Sequence, residues 1–321
     1  MNVLVVDPLP PPLVDAIRAA LGAGAAVTAV PDGSDTALST LGATAEAALV
    51  AHRQVGAREF ASMPRLRFLQ RLGAGYDNID LATARAVRVT VAVTPGANAI
   101  SVAEHTVMLL LAVLKRLEEA ASATRAGGFP TAAFIAAPAG DLGGAVVGLV
   151  GTGAIASATA ERLRPFGCRL LCTSRRPLSP EREAALGMEW RPFDDLLAEA
   201  DAVSVHVPLT PETRGMFDRS AFARMKPGSV LVNTSRGEVI DETALREAVA
   251  SGRLAGAGLD VVAAEADERN PFADLPQVLV TPHYAGATRG AQRRILGMAM
   301  ANLRRVMEGV APEGVVEPRE F

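Results

Sequence analysis

A chain of 321 residues, 49% of them apolar, has the length and hydrophobic content for about two domains, each able to bury a core. Charged residues are 21%, aromatics 4% and the formal net charge is −3, which gives no basis for a nucleic-acid groove or an anionic-membrane patch. Positive charge is carried almost wholly by arginine, because Lys115 and Lys226 are the only lysines. No apolar run approaches the ~18 residues of a membrane helix; the strongest, 106–114, ends at Lys115 and Arg116. The opening residues have neither a charged start nor a small-residue cleavage site. Cys168 and Cys172 lie in an extended stretch without metal-ligand spacing, and no metal site is read. The expectation is a soluble cytoplasmic protein whose thiols stay reduced.

In chain order, β-branched runs predict strands over 2–6, 26–30, 47–51, 66–69 and 87–93, separated by helical stretches at 13–21, 34–41 and 57–62. Residues 102–117 then carry apolar side chains on most faces over about four turns, the pattern of a helix buried between domains or subunits. The stretch 124–144, with Gly127-Gly128, Pro130, Pro138 and Gly143-Gly144, reads as a loop crossing between units. From Ala145 the alternation resumes, with strands at 146–150, 169–173, 202–205, 229–233, 255–259 and 278–281 and helices at 155–164 and 242–251. Strands alternating with helices predict an α/β protein of two doubly wound, parallel-sheet domains.

The strand 146–150 runs into a helix through Gly151-Thr-Gly153-Ala154-Ile155-Ala156, a Gly-x-Gly-x-x-Ala turn. Gly151 allows the tight turn, Gly153 lets a pyrophosphate approach the backbone, and Ala156 lets helix pack closely on strand. The helix start offers N–H groups to phosphates. After the next strand a carboxylate would select a ribose 2′-hydroxyl. Here the strand ends in Ser174-Arg175-Arg176, two guanidiniums suited to a 2′-phosphate, and the expectation is NADP(H) in preference to NAD(H).

Ligands of an open α/β sheet bind at the carboxyl ends of its strands. Those ends carry His206-Val207-Pro208, Thr234-Ser235-Arg236, Asp260 with Glu265 beyond it, and Pro282-His283. Four polar clusters converge on one edge. Of the histidines, His105 lies in the long apolar helix and reads as packed or interfacial, and His206 as a support of the cofactor edge. His283 is the candidate proton donor, because histidine has an unperturbed pKa near neutrality. Glu265 would orient it and favour the imidazolium, and Arg236 would bind a carboxylate bidentately. Cofactor turn, carboxylate clamp and paired acid together describe hydride transfer to a 2-oxo acid.

Seven stretches, in order and spacing, resemble the D-isomer-specific 2-hydroxyacid dehydrogenases over nearly the whole chain. They are Leu72-Gly-Ala-Gly-Tyr-Asp-Asn-Ile-Asp80, Thr94-Pro-Gly-Ala-Asn-Ala99 with Val102-Ala-Glu104, and Val150-Gly-Thr-Gly-Ala-Ile-Ala156. The others are His206-Val-Pro-Leu-Thr-Pro-Glu-Thr213, Asn233-Thr-Ser-Arg-Gly237, Gly258-Leu-Asp-Val261 and Thr281-Pro-His-Tyr-Ala-Gly-Ala-Thr288. The resemblance implies that Arg236, Glu265 and His283 are catalytic. It implies that Gly73, Ala74, Gly75 and Tyr76 receive the substrate carboxylate on backbone N–H groups, a nest in physical terms. Ala154, Ile155, His206, Val207, Pro208, Thr213, Thr234, Ser235, Asp260 and Gly286 would line the dinucleotide.

The resemblance also implies a Rossmann cofactor domain, 99–284, inserted into a flavodoxin-like substrate domain of 1–98 and 285–321, with the active site in the cleft. Arg53, with His52 and Tyr76, would face the substrate's variable end. The helix from about Ser101 and the loop after it resemble the family's dimer-forming segment. The chain departs from the family after Asp260, where Val261-Val-Ala-Ala-Glu265 replaces the usual aromatic and Glu-Pro pair. A glyoxylate or hydroxypyruvate reductase is the reading the serine-arginine turn favours. Phosphoglycerate dehydrogenase is the alternative, set back by a chain that ends soon after His283. A dinucleotide-sensing corepressor, a binding protein on the same fold, is disfavoured by the intact Arg, Glu and His set.

Overall fold

The computed structural model describes residues 1–263 and 269–317. Five strands open the chain: β1 (Asn2–Val5), β2 (Ala26–Ala29), β3 (Ala47–Val50), β4 (Phe68–Arg71) and β5 (Thr90–Ala92). Seven follow after a long helix: β6 (Val146–Val150), β7 (Arg169–Thr173), β8 (Glu189–Trp190), β9 (Ala202–Val205), β10 (Ser229–Asn233), β11 (Leu254–Leu259) and β12 (Val278–Val280). A short β13 (Val315–Val316) comes last. By contact density the chain divides into Met1–Asn98 with Arg289–Phe321, and Ala99–Thr288.

The first unit holds a sheet ordered β13-β5-β4-β3-β1-β2. Strands β1 to β5 run parallel, and β13 joins β5 antiparallel with Val315 opposite Ala92. That is the 2-1-3-4-5 winding of flavodoxin-like sheets. Strand side chains alternate between faces. Leu4, Ala48, Val50 and Leu69 enter one core, whereas Val3, Val5, Ala47, Leu49 and Phe68 enter the other. Met300 and Leu303 of the helix Arg289–Met307 close the second core. Burial on both faces is what makes these strands read as continuous apolar runs.

The second unit holds a sheet ordered β12-β11-β10-β9-β6-β7-β8, parallel throughout. Counting from β6, this is the Rossmann order with one further strand, and the winding reverses between β6 and β9. Val150, Val203, Val205, Leu231 and Leu259 pack to one side. Val147, Leu149, Leu170, Val230 and Val232 pack to the other, under Leu109 and Leu110 of the helix Ala99–Leu114.

Four expectations change. The strand expected at 66–69 is β4, displaced because Leu66 closes a turn on the Met63 carbonyl. The strand expected at 87–93 shrinks to β5: Asp80 accepts from Thr83 N to cap a helix Leu81–Ala86, and Arg88 turns at φ 60° before the strand begins. The long helix spans Ala99–Leu114 and not 102–117, because Arg116 stands at φ 53° and breaks it. The stretch 124–144 is not loop alone, since it overlaps a second helix, Leu117–Arg125, and contains a third, Thr131–Ala136. Among the described residues, no helix is long and apolar enough to cross a membrane.

Candidate active site

The glycine turn lies at the switch point, between β6 and the helix Ala154–Leu163. Gly151 has φ +112°, and a Cβ there would stand 2.6 Å from the carbonyl oxygen of His206 on neighbouring β9's exit. Only glycine fits that backbone. Gly153 is different: a Cβ there would meet nothing within 4 Å. It is the N-cap of the helix, and no side chain caps the first turn. Open space over uncapped N–H groups, in front of Ala154 and Ile155, suits the pyrophosphate of a dinucleotide.

At the end of β7, Ser174 Oγ donates to the Arg176 carbonyl at 2.6 Å and closes a turn. Arg175 and Arg176 are exposed, and among the described residues neither makes an ion pair. Across the switch point, His206 Nε2 and Ser204 Oγ are 2.9 Å apart. His206 Nδ1 is buried without a partner among the described residues, and burial pushes the imidazole down to about 4. The ring is therefore neutral at ordinary pH. Thr213 Oγ1 donates to the Pro208 carbonyl at 2.6 Å and accepts from Thr210 N, which shapes the exit through Val207 and Pro208.

The end of β10 is built by Asn233, fully buried. Its Nδ2 donates to the Arg236 carbonyl at 2.8 Å, while Oδ1 accepts from Ser235 N and Ser235 Oγ. Thr234 Oγ1 lies 3.0 Å from Thr106 Oγ1 of the long helix. The turn so made presents Arg236 half-buried, with Nη1 donating to the Ser235 carbonyl at 2.7 Å.

Asp260, at the end of β11, is 1% exposed. Its Oδ1 accepts from Thr281 Oγ1 at 2.6 Å and Tyr284 N at 3.1 Å, and its Oδ2 accepts from Ala285 N at 2.9 Å. Burial raises its pKa, but the hydrogen bonds from His105, Thr281 and Ala285 outweigh that and hold the carboxyl below the usual range. His283 is exposed at φ 48°, a left-handed conformation that costs a non-glycine residue about 1–2 kcal/mol. Its N–H lies 2.9 Å from both the Asp260 and the Thr281 carbonyls. Asp260, Thr281 and His283 share a cavity of about 470 Å³ with Arg269 and Asn270. Gly286 follows in the same turn. Glu265 lies outside the described residues.

In the first unit, Gly73 has φ +148°, and its carbonyl accepts from Thr94 N at 2.9 Å. Among the described residues the N–H groups of Ala74, Gly75 and Tyr76 donate no hydrogen bond, which leaves a row of donors. Thr94, wholly buried, has no partner for Oγ1 among the described residues. Arg53 is already engaged: its guanidinium donates to the Gly33 carbonyl and pairs with Asp35. Its backbone N–H, with those of Ala51 and His52, is held by the carboxylate of Asp7. The sequence passes over Asp7, places Asn233 and Thr281 in motifs without a role of their own, and gives His105 no part in the site. The roles of Asp7, Thr281 and His105 depend on partners distant in the chain, whereas Asn233 bonds within its own turn.

A parallel sheet in Rossmann order, with a glycine turn at its switch point and an arginine and a histidine on its carboxyl edge, defines a dinucleotide-binding α/β protein. Residues 107–285 match the family described as D-isomer specific 2-hydroxyacid dehydrogenase, NAD binding domain. The chain is 42% identical over 240 residues to the D-3-phosphoglycerate dehydrogenase of Mycobacterium leprae, covering 75% of this chain and 45% of that protein. It thus spans a little under half the length of that relative. It is 38% identical over 267 residues to the glyoxylate reductase of Thermococcus kodakarensis, covering 82% and 80%. The NAD-dependent formate dehydrogenase of Staphylococcus aureus, solved in complex with NAD, superposes with a TM-score of 0.87 at 27% identity over the full length of both chains. The chain belongs to the D-isomer-specific 2-hydroxyacid dehydrogenase family.

Proposed function

We propose that this protein reduces the carbonyl of a small 2-oxo acid, of the glyoxylate or hydroxypyruvate type, to the D-2-hydroxy acid, using NADPH in preference to NADH. The observation that carries the reading is the carboxyl edge of the second unit's sheet. Arg236 follows β10, His283 follows β12, and the glycine turn follows β6. When bound, the nicotinamide cofactor supplies the hydride. Arg236 binds the substrate carboxylate and polarises the adjacent carbonyl. His283 delivers the proton to the carbonyl oxygen, with Glu265 as its partner. In the first unit, the N–H donors at Ala74, Gly75 and Tyr76 receive carboxylate oxygens, whereas the Gly73 N–H, expected to join them, is taken by the Arg71 carbonyl. Thr234, Ser235, Asp260, Gly286, Val207, Pro208 and Thr213 contact the dinucleotide.

The turn Ser174, Arg175 and Arg176 supports NADPH, because two exposed guanidiniums there favour a 2′-phosphate that a carboxylate would repel. Similarity to a glyoxylate reductase over 80% of that protein supports the small substrate. A second reading, oxidation of a phosphorylated 2-hydroxy acid, is favoured by the 42% identity to a D-3-phosphoglycerate dehydrogenase. Ile100, Met108, Phe129 and Ile135 are exposed along the helix Ala99–Leu114 and the segment after it, which supports a homodimer formed there. Two unpaired cysteines suit a reducing cytoplasm.

The test is oxidation of NADPH and NADH, followed by absorbance, with glyoxylate, hydroxypyruvate, pyruvate and 3-phosphohydroxypyruvate. A higher kcat/KM for NADPH with glyoxylate or hydroxypyruvate is expected. Preference for the phosphorylated substrate establishes the second reading. In parallel, His283→Ala should lower kcat by about 10²-fold or more while cofactor affinity holds. Near-normal kcat in that variant would overturn the assignment of His283.

A further inference from the structure

His105 enters the carboxyl edge from the side, on the long helix Ala99–Leu114, and is 8% exposed. Its Nε2 lies 3.0 Å from Thr281 Oγ1 and 3.4 Å from Asp260 Oδ1. Thr281 has one hydroxyl proton, and Asp260 Oδ1, acceptor-only when ionised, takes it at 2.6 Å. The hydroxyl can then only accept from His105, so Nε2 carries a proton. Donors run in one direction: imidazole N–H to hydroxyl, hydroxyl to carboxylate. The same oxygen also accepts Tyr284 N, the other carboxylate oxygen, Oδ2, accepts Ala285 N, and the Asp260 carbonyl accepts His283 N. The ring of Tyr284 stands edge-on to that of His105, with centroids 4.9 Å apart.

Every residue from Thr281 to Ala285 except Pro282 is therefore tied to Asp260 or His105. In the middle sits His283, in the left-handed conformation. Such a backbone persists where its surroundings over-determine it. The geometry points to His105 as a positioning residue for His283, acting through Thr281 and Asp260. Helix residue, hydroxyl and carboxylate form a clamp that fixes the direction of the His283 imidazole. The inference deepens the proposed function and rests on His283 being its proton donor.

Two pairs of variants test the clamp: His105→Leu with His105→Gln, and Thr281→Val with Thr281→Ser. The glutamine amide can donate from about the position of Nε2, and serine keeps the hydroxyl. Leucine and valine remove the donors at little change of volume. For His105→Leu and Thr281→Val, kcat should fall by about ten-fold or more, with cofactor KM within about two-fold. His105→Gln and Thr281→Ser should recover most of it. Imidazole ¹⁵N–¹H spectra supply a readout independent of turnover, since the chain has four histidines. The His283 signal should move in the Leu and Val variants and return in the Gln and Ser variants. An unmoved His283 signal in a folded Leu or Val variant overturns the clamp, as does unchanged kcat or absence of rescue. If His105→Leu fails to fold, the Thr281 pair decides. Should His283→Ala keep its kcat, the proton-donor reading fails, while the spectra still judge the clamp.

Discussion

The carbonyl oxygen of His206 lies 2.6 Å from the point where a Cβ on Gly151 would stand, so β6 and β9 meet at the switch point with no room for a side chain. Gly151→Ala must therefore push the two strand exits apart and also adopt φ +112°. The expected cost is about 2–4 kcal/mol, with loss of dinucleotide binding. Gly153→Ala is the contrasting variant, because its Cβ meets open space. It should fold with near-normal stability and still bind dinucleotide at least about ten-fold more weakly, since the methyl occupies the pyrophosphate's approach. Thermal unfolding and cofactor titration by fluorescence separate the two. A Gly153→Ala protein with normal affinity would refute the assignment of the turn.

The proposed preference for NADPH rests on Arg175 and Arg176. Each guanidinium that reaches a 2′-phosphate contributes about 1.5–3 kcal/mol as a charge-assisted bond. Replacing both by alanine should lower kcat/KM for NADPH by about 10²-fold and leave NADH within a few-fold. Ser174→Asp, which adds a carboxylate at the end of β7, should turn the preference towards NADH. Steady-state rates with both cofactors check this. Equal loss with NADPH and NADH would mean the arginines serve structure and not the phosphate.

The second sheet was legible in the sequence almost to the residue. Strands β6, β7, β9 and β10 coincide with the expected spans, because strands buried on both faces are unbroken apolar runs closed by polar turns. Short elements were not. Glu189–Trp190 and Val315–Val316 have too few residues for any period, and they become strands only by pairing with β7 and β5. Val87–Arg88 looked like the start of a strand, but the capping carboxylate of Asp80 and the left-handed Arg88 make it the end of a helix. The residues proposed to touch ligands were legible as motifs. Asp7, which holds residues more than forty positions away, was not, because nothing local marks such a buried acceptor.

His206 makes stability depend on pH. Burial lowers its pKa from 6.5 to about 4, so between these values the unfolded chain takes up a proton that the folded chain refuses. The stabilisation is complete above pH 6.5 and is lost as pH falls towards 4, up to about 3 kcal/mol. His206→Gln can keep a hydrogen bond to Ser204 but cannot titrate. Its stability should be less sensitive to acid across that window, by roughly 2–3 kcal/mol relative to the parent protein. Urea unfolding at several pH values measures the difference. Parallel curves for the two proteins would place the acid sensitivity elsewhere.

Asp7 presents the plainest test in the first unit. It is 6% exposed, and its carboxylate accepts three consecutive N–H groups, from Ala51 at 2.6 Å, His52 at 2.8 Å and Arg53 at 2.9 Å. The pairings of β3 with β1 and β4 end by Val50, so among the described residues no strand takes these donors, and the Asp7 carboxylate fills the turn they form. Asp7→Ala strands them. An unsatisfied buried donor costs about 1–3 kcal/mol, and with Ala51 the most enclosed of the three a total near 3 kcal/mol is expected. Asp7→Asn retains one acceptor oxygen and should cost about half as much. Denaturant unfolding reads the stability, and proteolysis in the 51–55 segment reads the loosened loop. A loss under about 1 kcal/mol in the alanine variant would show that water replaces the carboxylate, and the turn would then owe its shape to the chain alone.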